Sequence, residues 1–329
     1  MLTVNHVNQC AFTNWYPHFH AASIKSIAIE IPEEVITLLL SDKIQYISTD
    51  FPQTFVAQVT EAIKSLGGKV FPKLDWSCPK DAKWILGNSL ACTCLEDIII
   101  AFKASDFILH DLTQAYDICL DQNDIHRPNQ FHLVLKKWCN FFDSMHFRCF
   151  VRQNRLIGIS QRNCTDFYGF LNEEQTQEDL CNTISDFFTQ HFPGSATLDP
   201  NYVFDVYVDK QIRVYLLDIN VFGQMTDALL FTWDELDNWT TEENIDFRVV
   251  GSENSIAPDS YSQYKVPLDL IDHLATPGGF EDFIRQVAKD NAMREDHQSS
   301  THPKPKPSEP SRIAKSNRAL SCSSFSYGQ

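Results

Sequence analysis

Two carboxylates set inside apolar, strand-like runs place the tightest constraint on how this chain folds. Tyr202–Val208 has the composition of a strand with Asp205 at its centre, and Ile212–Asn220 reads as the next strand, ending Asp218-Ile219-Asn220. Aspartate is depleted in strand interiors, so two of them among Val, Phe, Tyr and Leu need a physical reason. Period-two alternation sets Asp218 and Asn220 on one face of their strand. A tight turn at Lys210-Gln211 sets Asp205 diagonally beside Asp218, on the same face. Three oxygen donors with nothing basic between them suit a hard cation such as magnesium, which usually arrives with phosphates. The alternative is a polar sheet face in water, and the strand register decides between the two.

A chain of 329 residues fits one large domain or two smaller ones and has ample capacity for a core. The longest apolar runs, such as Ile98–Phe102 and Val35–Leu40, are far too short to span a bilayer. The first residues lack the basic start and long apolar stretch of a secretory signal. A soluble, cytoplasmic, monomeric protein with no membrane partner is the expectation. The ten cysteines are irregularly spaced, and Cys92-Thr93-Cys94 is the one close pair. No second close pair completes a zinc site, and His18, His20, His110, His126 and His132 show no metal spacing. All ten are expected as reduced thiols. The formal net charge is −16, while residues 297–329 carry Lys304, Lys306, Arg312, Lys315 and Arg318 against Glu309. That segment is therefore +4 and the remainder −20. A body this acidic argues against nucleic acid as a partner and is compatible with a basic protein.

Helical and strand patterns are interspersed, which is α+β rather than strict strand–helix alternation. Ser23–Ile29, Lys69–Asp75, Phe131–Trp138, Phe147–Val151 and Arg155–Ser160 read as strands. Pro32–Leu40, Glu96–Lys103 and Glu173–Gln190 read as helices, and Thr232–Asn238 as a helical turn. Phe51–Leu66 is the clearest helix: Phe55, Val59, Ile63 and Leu66 form one stripe, and Gly67-Gly68 stops it. Residues 240–262 read as an acidic loop. From residue 296 the chain is rich in Ser and Pro and poor in apolar residues, the composition of a disordered tail.

Four segments carry candidate ligand groups. Lys73 leaves a strand into Trp76-Ser77-Cys78-Pro79-Lys80-Asp81, where a lysine can meet a phosphate as a point charge. The simpler alternative there is a surface lysine. Lys136-Lys137-Trp138-Cys139 ends an apolar strand with backbone groups and a flat side chain suited to a purine. Arg148 lies between aromatic and apolar neighbours, where an unpaired guanidinium is costly, so it requires an anion. Ser160-Gln161-Arg162 closes a further strand. No Gly-rich phosphate loop and no Gly-x-Ser-x-Gly elbow is present.

These segments, in this order, resemble the cell division cycle protein 123 family. The resemblance runs from His6–Phe12, Trp15-Tyr16-Pro17 and Ile24-Lys25-Ser26 through Ser65–Gly68, Phe71–Ser77 and Ser105–Ile108. It continues through Leu133–Cys139, Phe147–Val151, Leu156–Arg162, Val203–Asp205, Leu217–Asn220 and Leu229–Trp233. It implies an ATP-grasp fold, two α+β subdomains gripping magnesium–ATP. The corresponding division is residues 1–130 as an N-terminal, partner-binding subdomain, 131–295 as a C-terminal subdomain with hinge and metal ligands, and 296–329 as the tail. The family's role is assembly of eukaryotic translation initiation factor 2 through its gamma subunit, with ATP and magnesium (Mg2+) bound. By resemblance Asp205, Asp218 and Asn220 hold the metal, and Lys73, Arg148 and Arg162 face phosphate. Trp76, Ser77, Cys78, Lys80, Asp81 and Ser160 belong to the same nucleotide-binding set, and Lys136–Cys139 flank adenine. Cys78, Lys136 and Val221 stand where the family usually carries Ala, Arg and Pro. An ATP-dependent ligase or transferase is the competing class, since ATP-grasp folds commonly activate carboxylates. The region from Cys10 to Ser26, with Phe12, Trp15 and Tyr16, is the first candidate for the partner surface, with plain core as its alternative.

Overall fold

The strand-patterned segments assemble into two sheets. In the computed structural model, which describes residues 2–41, 51–192, 197–240 and 244–252, all of this lies in one compact unit, Met1–Ile271. β1 (Ser26–Glu30), β2 (Val70–Lys73) and β3 (His132–Lys137) form an antiparallel sheet in the order β1-β3-β2. β4 (His146–Arg152), β5 (Arg155–Gln161), β6 (Tyr202–Val208), β7 (Val214–Val221) and β8 (Asp246–Arg248) form a second sheet in the order β7-β6-β4-β5-β8. The helices are α1 (Val4–Gln9), α2 (Phe12–Phe19), α3 (Glu33–Leu40), α4 (Gln53–Ser65), α5 (Leu95–Lys103), α6 (Asp106–Gln114), α7 (Glu174–His191) and α8 (Trp233–Asp237). The fold is α+β, as expected, and its strands form two sheets. β3 is the central strand of the first sheet, so the chain leaves that sheet only after Lys137.

Local chemistry explains most of these elements. α4 buries Phe55, Val59, Ala62 and Ile63, each large side chain contributing about 1.5–3 kcal/mol on leaving water. It ends where Gly67 and Gly68 take φ of 101° and 82°, and their N–H groups cap the Lys64 and Ile63 carbonyls. α8 starts on a reciprocal cap between Thr232 and Glu235. Sequence periodicity misses α1, α2 and α6, which are only six to nine residues long. α2 also contains Pro17. Their visible signals are the caps, Thr3 for α1 and Ser105 for α6, whose oxygens accept the His6 and Ile108 N–H groups.

Two sequence expectations change. Within the acidic loop, Asp246–Arg248 is a strand and pairs in parallel with β5. The hairpin before β7 is not a two-residue turn at Lys210-Gln211. The Asp209 carboxylate accepts the Gln211 and Arg213 N–H groups, Ile212 takes a positive φ of 61°, and pairing resumes only at Val208–Val214. The expected tail, and the acidic loop beyond residue 252, lie outside the described residues. The nine cysteines among the described residues are all free.

The cores divide by sheet face. One core packs Ile29, Leu133 and Leu135 of the first sheet against α3, α4 and α5. Another packs Phe147, Cys149, Ile159, Phe204, Val206 and Ile219 of the second sheet against α1, α2 and α7. Phe12 and Trp15 lie wholly inside this core, while Tyr16 is half-buried and its hydroxyl receives the Ser26 N–H. Phe12 and Trp15 are therefore core rather than partner surface. The opposite face of the second sheet carries a smaller core of Phe150, Val203, Phe231 and Leu236, and polar residues beside it.

Gly158 sits where that smaller core approaches the backbone. A Cβ there stands 2.8 Å from the buried Phe231 ring, which Phe150 meets edge-on at 5.3 Å and the Arg248 guanidinium covers at 4.0 Å. Gly158→Ala is expected to destabilise the fold by about 1–3 kcal/mol, read as a lower urea midpoint at unchanged slope.

Candidate functional site

A single polar row crosses the second sheet through its apolar interior. Strand pairing sets Asp218 of β7 opposite Asp205 of β6, Asp205 opposite Arg148 of β4, Arg148 opposite Ser160 of β5, and Ser160 opposite Arg248 of β8. Directly paired residues share a face, so all five side chains leave the sheet on one side. The Asp205–Asp218 pairing is direct rather than diagonal. A bulge between Asp205 and Val206 opposes Val206 to Leu216 and Asp205 to Asp218, which leaves Leu217 as the extra residue. Asn220, two residues along β7, lies on the same face opposite Val203.

Charges in this row are tightly paired. Arg148, 4 % exposed, grips both Asp205 oxygens at 2.7 and 2.8 Å and donates a third hydrogen bond to the Asp227 carbonyl. Arg162 approaches Asp205 at 3.7 Å. Burial pushes the Asp205 carboxyl up, and the Arg148 guanidinium, with Arg162 and Lys80 behind it, more than reverses this and holds it well below the usual carboxylate range.

Two lysines reach into the same place from the first sheet. Lys73 of β2, only 2 % exposed, donates to both Asp218 oxygens at 2.7 Å, so it is not a surface lysine. Lys136 of β3 donates to the Leu217 carbonyl, the backbone of the bulge. Both ammonium groups stand over the Phe12 ring, 5.8 and 5.4 Å from its centre. Burial pushes the Lys136 ammonium down to about 8. The Lys80 ammonium is also lowered, first by the Arg162 guanidinium and then by burial. Five cations, Lys73, Lys80, Lys136, Arg148 and Arg162, thus act on two carboxylates, with the exposed Asp227 at the rim.

The remaining candidates have other placements. Trp76 donates its indole N–H to the Val7 carbonyl and stands edge-on to Tyr116. Ser77 is held by Asp111 through both its N–H and its hydroxyl. Asp81 is buried and caps the start of α6, accepting from the Ser105 hydroxyl and the Asp106 N–H. Cys78 is half-buried, and its carbonyl accepts the Lys80 N–H at 2.8 Å. Ser160 donates to the Gln161 carbonyl and accepts the Leu230 N–H. Lys137 is exposed; the Trp138 indole N–H reaches the Asn140 side chain and the Cys139 thiol the Lys137 carbonyl.

His146 was not singled out by its sequence. It lies two residues before Arg148 on β4, hence on the same face, and its Nε2 is buried without a hydrogen-bond partner among the described residues. Phe141 and Tyr207 flank it edge-on at 5.3 Å. Burial pushes its imidazole down to about 4. Its position two residues from Arg148 in a strand was the available signal.

The donor set is compatible with magnesium. Among the described residues no group of three or more His, Cys, Asp or Glu forms a metal cluster. Magnesium, however, commonly takes one or two carboxylates and completes its shell with water and phosphate oxygens. Asp205 and Asp218 would supply the carboxylates, and each Asp205 oxygen retains a lone pair beyond its bond to Arg148. The Asn220 amide has a buried Nδ2 with no partner among the described residues, and turning the amide over would leave the oxygen there instead. Either way one buried amide atom is without a partner among the described residues.

Comparison with known proteins places this arrangement in a family. The model of the family described as D123 matches residues 45–274. The chain belongs to the D123 family. A Xenopus tropicalis protein named translation initiation factor eIF2 assembly protein is 40% identical over 310 residues, 81% of this chain and 91% of the relative. A Schizosaccharomyces pombe protein of the same name is 37% identical over 304 residues, 82% of this chain and 92% of the relative. The solved structure of Cdc123 from Schizosaccharomyces pombe superposes with a TM-score of 0.68 at 40% identity, covering 76% of this chain and 98% of that one. The fold is therefore that of Cdc123, with the α+β architecture that the resemblance implied. No helix among the described residues is long and apolar enough to cross a membrane.

Two outcomes test the electrostatic account. Asp205→Asn leaves Arg148 buried without a carboxylate and is expected to cost about 3–5 kcal/mol in urea unfolding. His146 is neutral in the folded chain and has an ordinary value near 6.5 when unfolded. The unfolded chain therefore binds the extra proton first as pH falls, and stability declines from about 6.5 toward about 4. His146→Phe is expected to lack that component in parallel urea titrations across the window.

Proposed function

We propose that this chain is an ATP- and magnesium-binding assembly factor that binds the gamma subunit of eukaryotic translation initiation factor 2 and promotes joining of its subunits. The assembly role rests on membership of a family whose relatives carry the name eIF2 assembly protein. The observation that carries the nucleotide role is the surplus of positive charge around Asp205 and Asp218, from the buried Lys73, Lys136 and Arg148 and the half-buried Lys80 and Arg162. Lys80 is disfavoured as a cation chiefly by Arg162, so an anion placed between them relieves a repulsion already present. A triphosphate carries enough charge for this, and magnesium bridges phosphate oxygens to carboxylates.

In this reading Asp205, Asp218 and Asn220 would hold the metal. Lys73, Lys80, Lys136 and Arg162 would meet phosphate, while Arg148 chiefly keeps Asp205 ionised and oriented. Lys136–Cys139, at the end of β3, would flank the purine. Because Lys73 and Lys136 come from the first sheet and both carboxylates from the second, a ligand engaging all of them stabilises one arrangement of the two sheets. A protein partner that recognises that arrangement binds better when the nucleotide is present. The acidic balance of the chain suits a basic partner surface.

Calorimetry of ATP binding in magnesium tests the site. Asp218→Ala is expected to weaken binding at least tenfold, about 1.4 kcal/mol, and binding equal to the unmodified protein removes Asp218 from the site. Retention of the gamma subunit in a pull-down is expected to rise when magnesium–ATP is added. Equal retention with and without nucleotide separates ATP from the assembly role.

A further inference from the structure

We infer that the free edge of β1 is a docking strand for an extended, basic segment of a protein partner. Among the described residues β1 is the outer strand of the first sheet, hydrogen-bonded to β3 on one side only. Lys137 donates its N–H to the Lys25 carbonyl, and Ile31 donates to the Phe131 carbonyl. In an antiparallel pair such bonds recur at alternate residues, so Ile27 and Ile29 also turn their backbone groups to β3. Ser26, Ala28 and Glu30 turn theirs outward. The Tyr16 hydroxyl takes the Ser26 N–H at 2.9 Å. The outward groups of Ala28 and Glu30 have no partner among the described residues, and both residues are exposed.

Beside this edge lies a groove of about 630 Å³ between β1 and α4. Its α4 wall is built from small or polar residues, Ala57, Gln58, Ala62 and Ser65, which leave room for the side chains of an added strand. The half-buried Ile27 offers apolar contact at its base. Two acidic groups, Glu30 on the strand and Glu61 on the helix, line the groove, and neither forms an ion pair among the described residues. Backbone groups aligned for pairing give affinity without regard to sequence, and the flanking carboxylates select positive charge. The fitting occupant is thus a short extended segment with apolar and basic residues in alternation. A second copy of this chain fits poorly, since a net charge of −16 repels itself. The groove shares no residue with the polar row, so the inference stands independently of the nucleotide reading.

The test uses the full chain with two synthetic probes, an acetylated, amidated hexapeptide alternating Lys and Val and its Glu–Val counterpart. Amide exchange by NMR and binding by fluorescence anisotropy give the readouts. The Lys–Val probe is expected to bind saturably and slow exchange at Ala28 and Glu30. Ala28→Pro removes the outward donor without touching a β3 bond and is expected to weaken binding at least tenfold. Glu61→Lys, on the exposed face of α4, is expected to do the same, and it serves should the proline variant fail to fold. Unchanged exchange at Ala28 and Glu30, equal binding by either variant, or equal binding by the Glu–Val probe overturns the inference. So does exchange that slows with protein concentration alone, which assigns the edge to a second copy.

Discussion

The Arg148–Asp205 ion pair is the interaction on which the rest of the site depends. Both groups belong to central strands of a sheet whose opposite face is an apolar core. Neither is tolerable there alone, because an unpaired charge removed from water costs several kcal/mol. Together they satisfy one another in a two-point grip, and the third guanidinium bond fastens the segment carrying Asp227. Such a pair is a poor source of net stability. Its value is positional: it orients Asp205 toward Asp218 and keeps it ionised, leaving lone pairs for a further cation.

A second constraint links the two sheets. The bulge at Leu217 places Asp218 directly beside Asp205, and the Lys136 ammonium occupies the bulge carbonyl while Lys73 holds the carboxylate. The first sheet thereby contributes cations and the second contributes anions to one locus. Phe12, from the α1–α2 region, backs both lysines with the face of its ring. The contacts of Lys73 and Lys136 with β7 thereby tie the first sheet to the second at this one locus.

Much of this was legible from residue patterns, and the failures have physical causes. The strands around Asp205, Arg148 and Arg162 were visible because period-two burial leaves a strong composition signal. The need of Arg148 for an anion was equally visible, since desolvation makes the demand local. Its partner was not, because that depends on which strands become neighbours. Alternation placed Asp218 and Asn220 on one face, yet the diagonal pairing with Asp205 was wrong, since a five-residue turn and a bulge each alter the register. Asp81 caps α6 and Ser77 binds Asp111, pairings between distant segments that residue type alone does not reveal. His146 carried no signal beyond its spacing from Arg148.

Chain composition and periodicity alone determined that this protein is α+β, that it is acidic, and that charged residues stand within its strands. Those properties follow from interactions between near neighbours, which any chain of this sequence must satisfy. The tertiary structure alone decided which charges meet. Only the strand order β7-β6-β4-β5-β8 aligns Asp218, Asp205, Arg148, Ser160 and Arg248 in one row, and only the approach of β2 and β3 brings Lys73 and Lys136 onto it. Lys73 and Asp218 are 145 residues apart, and their contact is fixed by packing between sheets, to which no local preference contributes.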